Sequence, residues 1–171
     1  MQMDKEKTIK IPVEEYRAFQ DHECDAIPSG VVEYTAFRGC DIYGESHGND
    51  MAGVYFYNCL FLNCRFTSLC IHDCEFTGCR FVNCVMESLD VDRCDFEGCS
   101  FEKGCSWSGS HLKDTGFDRC VLRDVNLHGC TARRARLENS MLVTTLSGSG
   151  LVLPDGLECL GVSVTATMEE R

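Results

Sequence analysis

Apolar residues recur at every fifth position through the middle of this sequence. The stretch FLNCRFTSLCIHDCEFTGCRFVNC, residues 61–84, shows the pattern, with an apolar residue in each fifth place and usually a Cys two places before it. A period of five fits neither the 3.6-residue turn of an α-helix nor the two-residue alternation of a β-strand. The chain therefore repeats a short unit that is neither a helix nor a long strand.

The apolar residue of each repeat, which we call the centre residue, keeps its spacing from residue 51 to residue 142 with one extra residue near Lys103. The centre residues are Met51, Phe56, Phe61, Phe66, Ile71, Phe76, Phe81, Met86, Val91, Phe96, Phe101, Trp107, Leu112, Phe117, Leu122, Leu127, Ala132, Leu137 and Leu142. The residue two places before each centre is small or apolar throughout. Such a repeat predicts stacked structural units.

The residue two places after each centre explains the period. Most of these residues are Gly, Asn or Asp, which tolerate a left-handed backbone. A type II turn requires that conformation at its third position. Each five-residue unit is therefore predicted to be a short extended stretch followed by a tight turn, with the centre residue and the small residue pointing inward.

Four such units, each turning through about a right angle, close a square coil of twenty residues. Centre residues twenty positions apart then stack on one another, so that similar side chains are in contact. Parallel strands of successive coils hydrogen-bond to each other. The predicted files of stacked side chains are Phe56, Phe76, Phe96, Phe117 and Leu137; Phe61, Phe81, Phe101, Leu122 and Leu142; and Cys59, Cys79, Cys99 and Cys120.

This pattern resembles the pentapeptide-repeat family, strongly over residues 51–146 and more weakly over 27–46, where Val32, Phe37 and Ile42 keep the spacing. The family usually has Ala where this chain has Cys. The resemblance implies an all-β, right-handed quadrilateral parallel β-helix of about six coils with short capping segments at both ends.

We expect residues 1–26 to form an N-terminal covering segment, 27–146 the β-helix, and 147–171 a C-terminal cap and tail. The N-terminal TIKIPVEEYRAF predicts a short strand followed by one or two helical turns. At the other end, Leu157 to Val164 are apolar enough to cover the last coil, and we expect the chain to fray from Thr165 onward.

Charge and hydropathy limit the function. The net charge of -11 argues against direct binding to nucleic acid or to an anionic membrane. The first residues lack the apolar run of a signal peptide, and no segment approaches the ~18 apolar residues of a membrane-spanning helix. We therefore expect a cytoplasmic protein whose fourteen cysteines are mostly reduced.

Most of the cysteines fall in the inward small series, and we interpret them as small buried hydrophobes. Zinc is a poor alternative because successive cysteines lie on different walls and no C-x-x-C pair occurs. Disulfides between stacked cysteines remain an alternative, although near-parallel side chains would strain them. These inward cysteines are Cys40, Cys59, Cys64, Cys74, Cys79, Cys84, Cys94, Cys99, Cys105, Cys120 and Cys130.

Cys70 is expected to point outward on one wall, with Asp90 and then His111 on the following coils. A thiol, a carboxylate and an imidazole could hold a metal or form a nucleophile with a base. The first and third members are nevertheless two strand spacings apart, roughly 9–10 Å. We interpret the group as a chance surface grouping and predict no catalytic residue, no metal site and no cofactor.

Acidic residues form a predicted stripe around one edge of the solenoid, and we assign partner binding to Glu75, Asp90, Asp92, Asp95, Glu97 and Asp118. The resemblance implies a rigid protein-interaction module, since some family members are DNA mimics that bind type II topoisomerases such as gyrase and give quinolone resistance. Two alternatives remain: a solvated face without a partner, and a scaffolding or effector solenoid that has no nucleic-acid enzyme as its target.

A neighbouring wall is predicted to be apolar on its outer side, where it carries Leu60, Leu62, Val82, Val121, Met141 and Val143. Contiguous apolar surface indicates an interface or lies beneath another segment of the chain. The N-terminal segment could cover it, or a second copy could. The C-terminal segment is similar in kind to the one through which gyrase-protecting members dimerise, which implies a homodimer.

Overall fold

A computed structural model describes the backbone of residues 8–10, 31–33, 36–38 and 41–43, and both backbone and side chains of residues 51–102, 104–145 and 152–167. All regular secondary structure in these ranges is β-strand. The strands are mostly three residues long and form four parallel sheets, which are the four walls of a β-solenoid of about six turns. The predicted fold class is therefore confirmed.

Each wall is built from strands of successive coils. The first wall contains Thr8–Lys10, Val31–Glu33, Tyr55–Tyr57, Glu75–Thr77, Asp95–Glu97, Gly116–Asp118, Ala135–Glu138 and Leu157–Leu160. The second contains Ala36–Arg38, Leu60–Leu62, Arg80–Val82, Ser100–Glu102, Val121–Arg123, Met141–Thr145 and Ser163–Thr167. The third contains Asp41–Tyr43, Arg65–Thr67 and Val85–Glu87. The fourth contains Met51–Ala52, Cys70–His72, Asp90–Asp92, His111–Lys113 and Thr131–Arg133.

Strands pair in parallel with the equivalent strands of the coils before and after them. Phe76, for example, pairs with Phe56 on one side and Phe96 on the other. The third wall changes after the insertion near residue 103, where Ser106 and Asn126 continue the ladder only as isolated bridges. The one-residue slip is thus absorbed at the corner between the second and third walls, and the register of the other walls is kept.

The core is a set of stacked side chains. The rings of Phe56, Phe76 and Phe96 stack with centroids 4.8 and 4.7 Å apart and planes within 10° of parallel. Phe61 and Phe81 stack in the same way on the adjacent wall, at 4.7 Å. Rings of adjacent walls meet edge to face. The predicted inward register of the centre residues is confirmed by their burial.

The turn residues have the predicted left-handed backbone. Positive φ angles occur at all seventeen turn positions of the repeat from Asn58 to Asn139. They include Arg93, Arg119 and Arg134, with φ of 53°, 53° and 52°. An Arg there pays the conformational cost that Gly avoids, so another interaction must favour it at these corners.

The ends of the solenoid extend its walls. At the N-terminus, Thr8–Lys10 pairs in parallel with Val31–Glu33 and so adds a strand to the first wall. The predicted helical turns after it lie outside the described residues. This pairing places the predicted N-terminal strand at the edge of the first wall.

At the C-terminus, Leu157–Leu160 and Ser163–Thr167 add one strand each to the first and second walls. Leu153 and Leu157 pack against the core, and Pro154 is buried. The expectation that the chain frays from Thr165 is wrong for residues 165–167, because these residues continue the ladder beside Val143 to Thr145. The apolar segment both covers the last coil and prolongs two of its walls.

Candidate functional site

The outer face of the first wall carries most of the predicted acidic stripe. Glu75, Asp95, Glu97 and Asp118 stand on three successive strands of this wall, and Glu138 follows on the next. In-register pairing places Glu97 beside Asp118, and Asp118 beside Glu138. Carboxylates from four coils are thereby brought together on one flat sheet.

A cleft of about 240 Å³ opens in the middle of this surface. It exists because Gly116 occupies an outward position where its neighbours in the file are Asp95 and Arg136. The missing side chain leaves a gap in the row. The cleft is lined by Glu75, Asp95, Phe96, Glu97, Gly116, Phe117, Asp118, Arg136 and Glu138.

Two arginines offset part of the negative charge. Arg119, at the corner after this wall, contacts Glu97 and lies 3.6 Å from Asp118 Oδ2. Arg136 Nη1 lies 4.0 Å from Glu138 Oε1. Both guanidinium groups remain more than half exposed, so these pairs are weak and screened by salt. The carboxylates around the cleft still outnumber the cations.

Asp90 and Asp92, the part of the predicted stripe expected on the preceding wall, lie on the fourth wall and do not line the cleft. Asp92 Oδ2 accepts from Arg93 at 2.6 Å and from Lys113 at 3.1 Å. Its other oxygen, Oδ1, is buried without a hydrogen-bond partner. The structure therefore divides the predicted stripe into a cleft on the first wall and an ion-paired group on the fourth.

The ion pairs at the corner after the fourth wall were not predicted. Arg93 donates from Nε and Nη2 to the two carboxylate oxygens of Asp73, and Arg134 pairs with Asp114 in the same way. The hydrogen bond from Arg93, followed by one from His72, holds the pKa of Asp73 well below its usual value of 3.8. Asp and Arg alternate at these turn positions in the sequence, at spacings of 20 or 21 residues. That alternation is the signal from which the ion pairs between coils could have been predicted.

The predicted apolar wall, the second wall, exposes less than its sequence suggests. Val82 and Val143 are 8% and 3% exposed, although both stand on outward positions. Leu60, Leu62 and Val121 are half-buried. Met141, at 42%, is the one member of the set that is well exposed. This wall therefore presents a small apolar surface near its C-terminal end.

The Cys70 group lies on the fourth wall in the predicted order. Cys70 Sγ is 3.9 Å from Asp90 Oδ2, and His111 Nδ1 lies 2.7 Å from the hydroxyl of Thr131. The His111 imidazole therefore hydrogen-bonds to Thr131 and not to Cys70, and the Asp90 carboxylate lies between the imidazole and the thiol. Within the described ranges no group of three or more His, Cys, Asp or Glu side chains is arranged to hold a metal ion.

Inside the solenoid, the small residues of the repeat make a repeated polar contact. The thiol of Cys99 donates to the carbonyl of Phe76, one coil earlier, at 3.1 Å. Ser110, in an equivalent position, donates to Met86 O at 2.9 Å and accepts from the amide of Leu89 at 3.1 Å. Cys, Ser and Thr are therefore equivalent at this position as hydrogen-bonding groups that fill little space.

The family model described as pentapeptide repeats matches in eight copies, with residues 108–139 matched. Residues 108–139 are pentapeptide repeats. No curated protein sequence matches it significantly.

Several solved structures are similar to this chain. A trypsin-treated variant of QnrB1, a plasmid-mediated fluoroquinolone resistance protein, is 15% identical with a TM-score of 0.41, covering 92% of this chain and 88% of that one. Rfr23 from the cyanobacterium Cyanothece is 12% identical with a TM-score of 0.28, covering 60% and 86%. HetL from the cyanobacterium Nostoc, involved in heterocyst differentiation regulation, is 13% identical with a TM-score of 0.21, covering 80% and 76%.

Among the residues that the structure describes, no helix is long and apolar enough to cross a membrane. All twelve described cysteines are free thiols, ten of them buried and two, Cys70 and Cys159, exposed. Burial raises the pKa of Cys130, and the neighbouring thiols of Cys59 and Cys99 together with burial raise that of Cys79. The thiols of Cys79 and Cys130 are therefore protonated at neutral pH.

Proposed function

We propose that this chain is a non-enzymatic interaction module that binds a protein partner through the acidic cleft of the first wall. The observation that carries the proposal is the gathering of five carboxylates around one cleft of about 240 Å³ on a rigid sheet. A cleft of that charge fits Lys or Arg side chains of a basic surface.

We further propose that the partner is a DNA-binding enzyme of the type II topoisomerase class, with the first wall standing in for duplex DNA. Coils repeat every 4.7–4.8 Å, so the carboxylates form rows of fixed spacing. B-DNA carries one charge per ~1.7 Å of its axis. The wall has a lower charge density than DNA, so we expect it to imitate only a short stretch of duplex that a few basic side chains of the enzyme contact.

The scaffolding alternative is supported by the ion pairs. Arg119 and Arg136 neutralise part of the acidic wall, as expected for a surface whose charge serves solubility. Under this alternative the solenoid contributes rigidity, and no DNA-binding enzyme recognises the cleft.

The test combines a gyrase supercoiling assay with direct binding of purified gyrase to the immobilised protein. The variant Glu75→Gln/Asp95→Asn/Glu97→Gln/Asp118→Asn removes the negative charge of the cleft and should abolish both effects. Gly116→Leu fills the cleft without changing charge; its φ is not left-handed, and only the Asp95 carboxylate, 3.0 Å from the added Cβ, has to shift slightly. It should weaken binding while leaving the melting temperature nearly unchanged.

The control is Glu87→Gln/Glu102→Gln, which is compared with the double variant Asp95→Asn/Glu97→Gln and removes the same two charges from the third and second walls. It should retain full binding, and higher salt should weaken binding of the wild-type protein. The scaffolding alternative is correct if the wild-type protein neither binds gyrase nor changes supercoiling. If the cleft variant and the control bind equally, gyrase recognises another surface.

We also propose that two copies associate through their C-terminal ends to form a homodimer. Leu157–Leu160 and Ser163–Thr167 are the last strands of their sheets in the described chain. Leu160, Val164 and Val152 near this end are 68%, 66% and 62% exposed. Exposed apolar side chains beside sheet edges are the features that a second copy would cover.

Sedimentation equilibrium tests the dimer. The wild-type chain should sediment as a dimer at micromolar concentration, and Leu160→Lys/Val164→Lys should sediment as a monomer with an unchanged β-sheet circular dichroism spectrum. Val152→Lys alone should weaken association less. A wild-type monomer would contradict the proposal.

We propose that the protein is located in the cytosol, because its described cysteines are free thiols. Free cysteines persist where glutathione and thioredoxin keep thiols reduced. Fractionation of the host cell, followed by detection of the protein, tests this location.

A further inference from the structure

The outer face of the first wall is straight along the axis of the solenoid. The rings of Phe56, Phe76, Phe96 and Phe117 beneath it stack with centroids 4.8, 4.7 and 4.8 Å apart, and successive planes differ by only 10°, 4° and 7°. Neighbouring strands of a sheet usually twist by about 20–25° relative to each other, so the wall is unusually flat. Its outward side chains therefore stand in straight rows, at intervals of one coil.

The acidic side chains of this face occupy two neighbouring rows. The row that we call the first consists of Glu75, Asp95, Gly116 and Arg136. The second row, two residues further along each strand, includes Glu97, Asp118 and Glu138. Residues two apart on a strand are separated by about 6.6–6.8 Å, which is therefore the distance between the rows. From the coil of Glu75 to the coil of Glu138 the carboxylates extend over roughly 14 Å.

The two rows differ in how their charge is compensated. In the second row, Arg119 contacts Glu97 and lies 3.6 Å from Asp118 Oδ2. In the first row, neither Glu75 nor Asp95 has an ion pair with any residue that the structure describes. The carboxylates of the first row are therefore the ones that most need cations from a binding partner.

The gap at Gly116 gives this face a place for a side chain of another molecule. A Cβ at Gly116 would lie 3.0 Å from Asp95 Oδ1, so a carboxylate without an ion pair borders the gap. On the other side, Arg136 lies 4.0 Å from Glu138 Oε1 and 3.9 Å from Glu158 Oε2. The Arg136 guanidinium thus has carboxylates of its own and the next coil beside it. A cation from a partner that enters the gap pairs with Asp95.

We propose that the first wall docks an α-helix of the partner, which lies along the axis of the solenoid and carries a stripe of Lys or Arg side chains. This inference rests on the proposed binding at the cleft and specifies the shape of the partner's contact. Helix residues at i, i+3, i+7 and i+10 share one face and rise by about 4.5, 10.5 and 15 Å. Successive coils of the wall rise by about 4.8, 9.5 and 14 Å. One cation therefore meets each coil.

The two rows of the wall also match the helix across its width. The stripe consists of two lines of side chains, i with i+7 and i+3 with i+10, on either side of the helix face. Each line then lies over one row of the wall. An extended segment fits less well, because its side chains on one face repeat every 6.6–6.8 Å or so and lose step with the coils by about 2 Å at the first repeat.

The experiment measures the binding of fluorescent peptides to the full chain by anisotropy. The stripe peptide is an Ala-rich helix of about 20 residues with Arg at i, i+3, i+7 and i+10. The spread peptide has the same composition with its Arg residues distributed around the helix, and the broken peptide keeps the stripe but contains Pro residues that prevent a helix. The stripe peptide should bind about tenfold more tightly than either control, and higher salt should weaken its binding.

Matched variants locate the helix on the wall. Glu75→Gln/Asp95→Asn should weaken binding of the stripe peptide by about fivefold, and Gly116→Leu should weaken it by closing the gap. Glu87→Gln/Glu102→Gln removes the same charge from other walls and should change the affinity by less than about twofold. Equal binding of the three peptides, or equal effects of the two double variants, would overturn the proposal.

The gyrase assay separates this inference from the proposed function. If gyrase binds at the cleft but the three peptides bind equally, the proposed function stands and the docked helix is wrong. If the stripe peptide binds selectively and gyrase does not bind, the docked helix is supported and the topoisomerase assignment is wrong.

Discussion

Arg93 lies one coil after Asp73 at the same corner of the solenoid, and its Nε and Nη2 donate to the two carboxylate oxygens of Asp73 at 2.7 and 3.0 Å. This bidentate pair explains why an Arg occupies a turn position with φ of 53°. The ion pair between two coils compensates the conformational cost of a left-handed backbone at Arg93. The corner is therefore stabilised by pairs that only the stacked structure brings together.

The pair predicts a pH dependence. The pKa of Asp73 is lowered on folding, chiefly by the hydrogen bond from Arg93, so its contribution is present above the unfolded value of 3.8 and is lost as pH falls below it. Asp73→Asn should lower the melting temperature by a few degrees at about pH 7 and by much less at about pH 3. Arg133→Ala, an exposed cation without an ion pair among the described residues, should have little effect at either pH. A pH-independent difference for Asp73→Asn would contradict this assignment.

Phe81 tests the aromatic stack. Its ring lies between those of Phe61 and Phe101, at 4.7 and 4.8 Å, and it is 1% exposed. Phe81→Ala should lower the free energy of unfolding by about 3–5 kcal/mol, and Phe81→Asp should prevent folding. Chemical denaturation measures both. Glu97→Ala, on an outward position of the first wall, should fold normally, and similar losses for the two sites would show that the inward register is wrong.

The inner thiols can be tested as hydrogen-bonding groups. Cys105 Sγ accepts from the amide of Cys84 at 3.5 Å and lies 3.4 Å from Phe81 O. Cys105→Val leaves that buried amide without its acceptor and should cost about 1–3 kcal/mol, whereas Cys105→Ser should cost less because Ser140 makes the equivalent contacts. Hydrogen exchange at the Cys84 amide should accelerate in the Val variant alone. Equal exchange in both variants would show that packing, and not hydrogen bonding, decides this position.

The sequence predicts the repeated part of the fold well because the five-residue period constrains every coil in the same way. The stacking of Phe76 on Phe56 and Phe96 follows from that period alone, and so does the left-handed backbone at Asn83. The polar role of the thiols could not be inferred in the same way. That role depends on the direction of a backbone carbonyl one coil earlier, which the five-residue period does not determine.

Gly156 tests the C-terminal cap. It has φ of 83°, and a Cβ there would lie 2.6 Å from the carbonyl oxygen of Ala132. Gly156→Ala should detach the cap and speed proteolysis after residue 145. Gly98→Ala is the matched control, since φ is 61° and nothing lies within 4 Å of the added Cβ. The control should show only the cost of a left-handed Ala, about 1–2 kcal/mol, and a similar effect of both variants would mean that the contact with Ala132 is unimportant.

The candidate site was predictable only in part. The carboxylates of Glu75, Asp95 and Asp118 could be assigned to one wall from their spacing. The cleft between them could not, because it depends on the absence of a side chain at Gly116 and on which neighbours leave the gap open. At the end of the chain the five-residue period stops, so nothing in the pattern indicated that Ser163–Thr167 would continue the second wall.

The most direct test of the account is the accessibility of each thiol in the native protein, measured by alkylation and mass spectrometry of the peptides. Among the described cysteines, Cys70 and Cys159 should react rapidly, and the ten buried ones should react only after denaturation. Rapid modification of Cys79 or Cys99 in the folded protein would contradict the inward register on which the walls, the cleft and the cysteine files all depend.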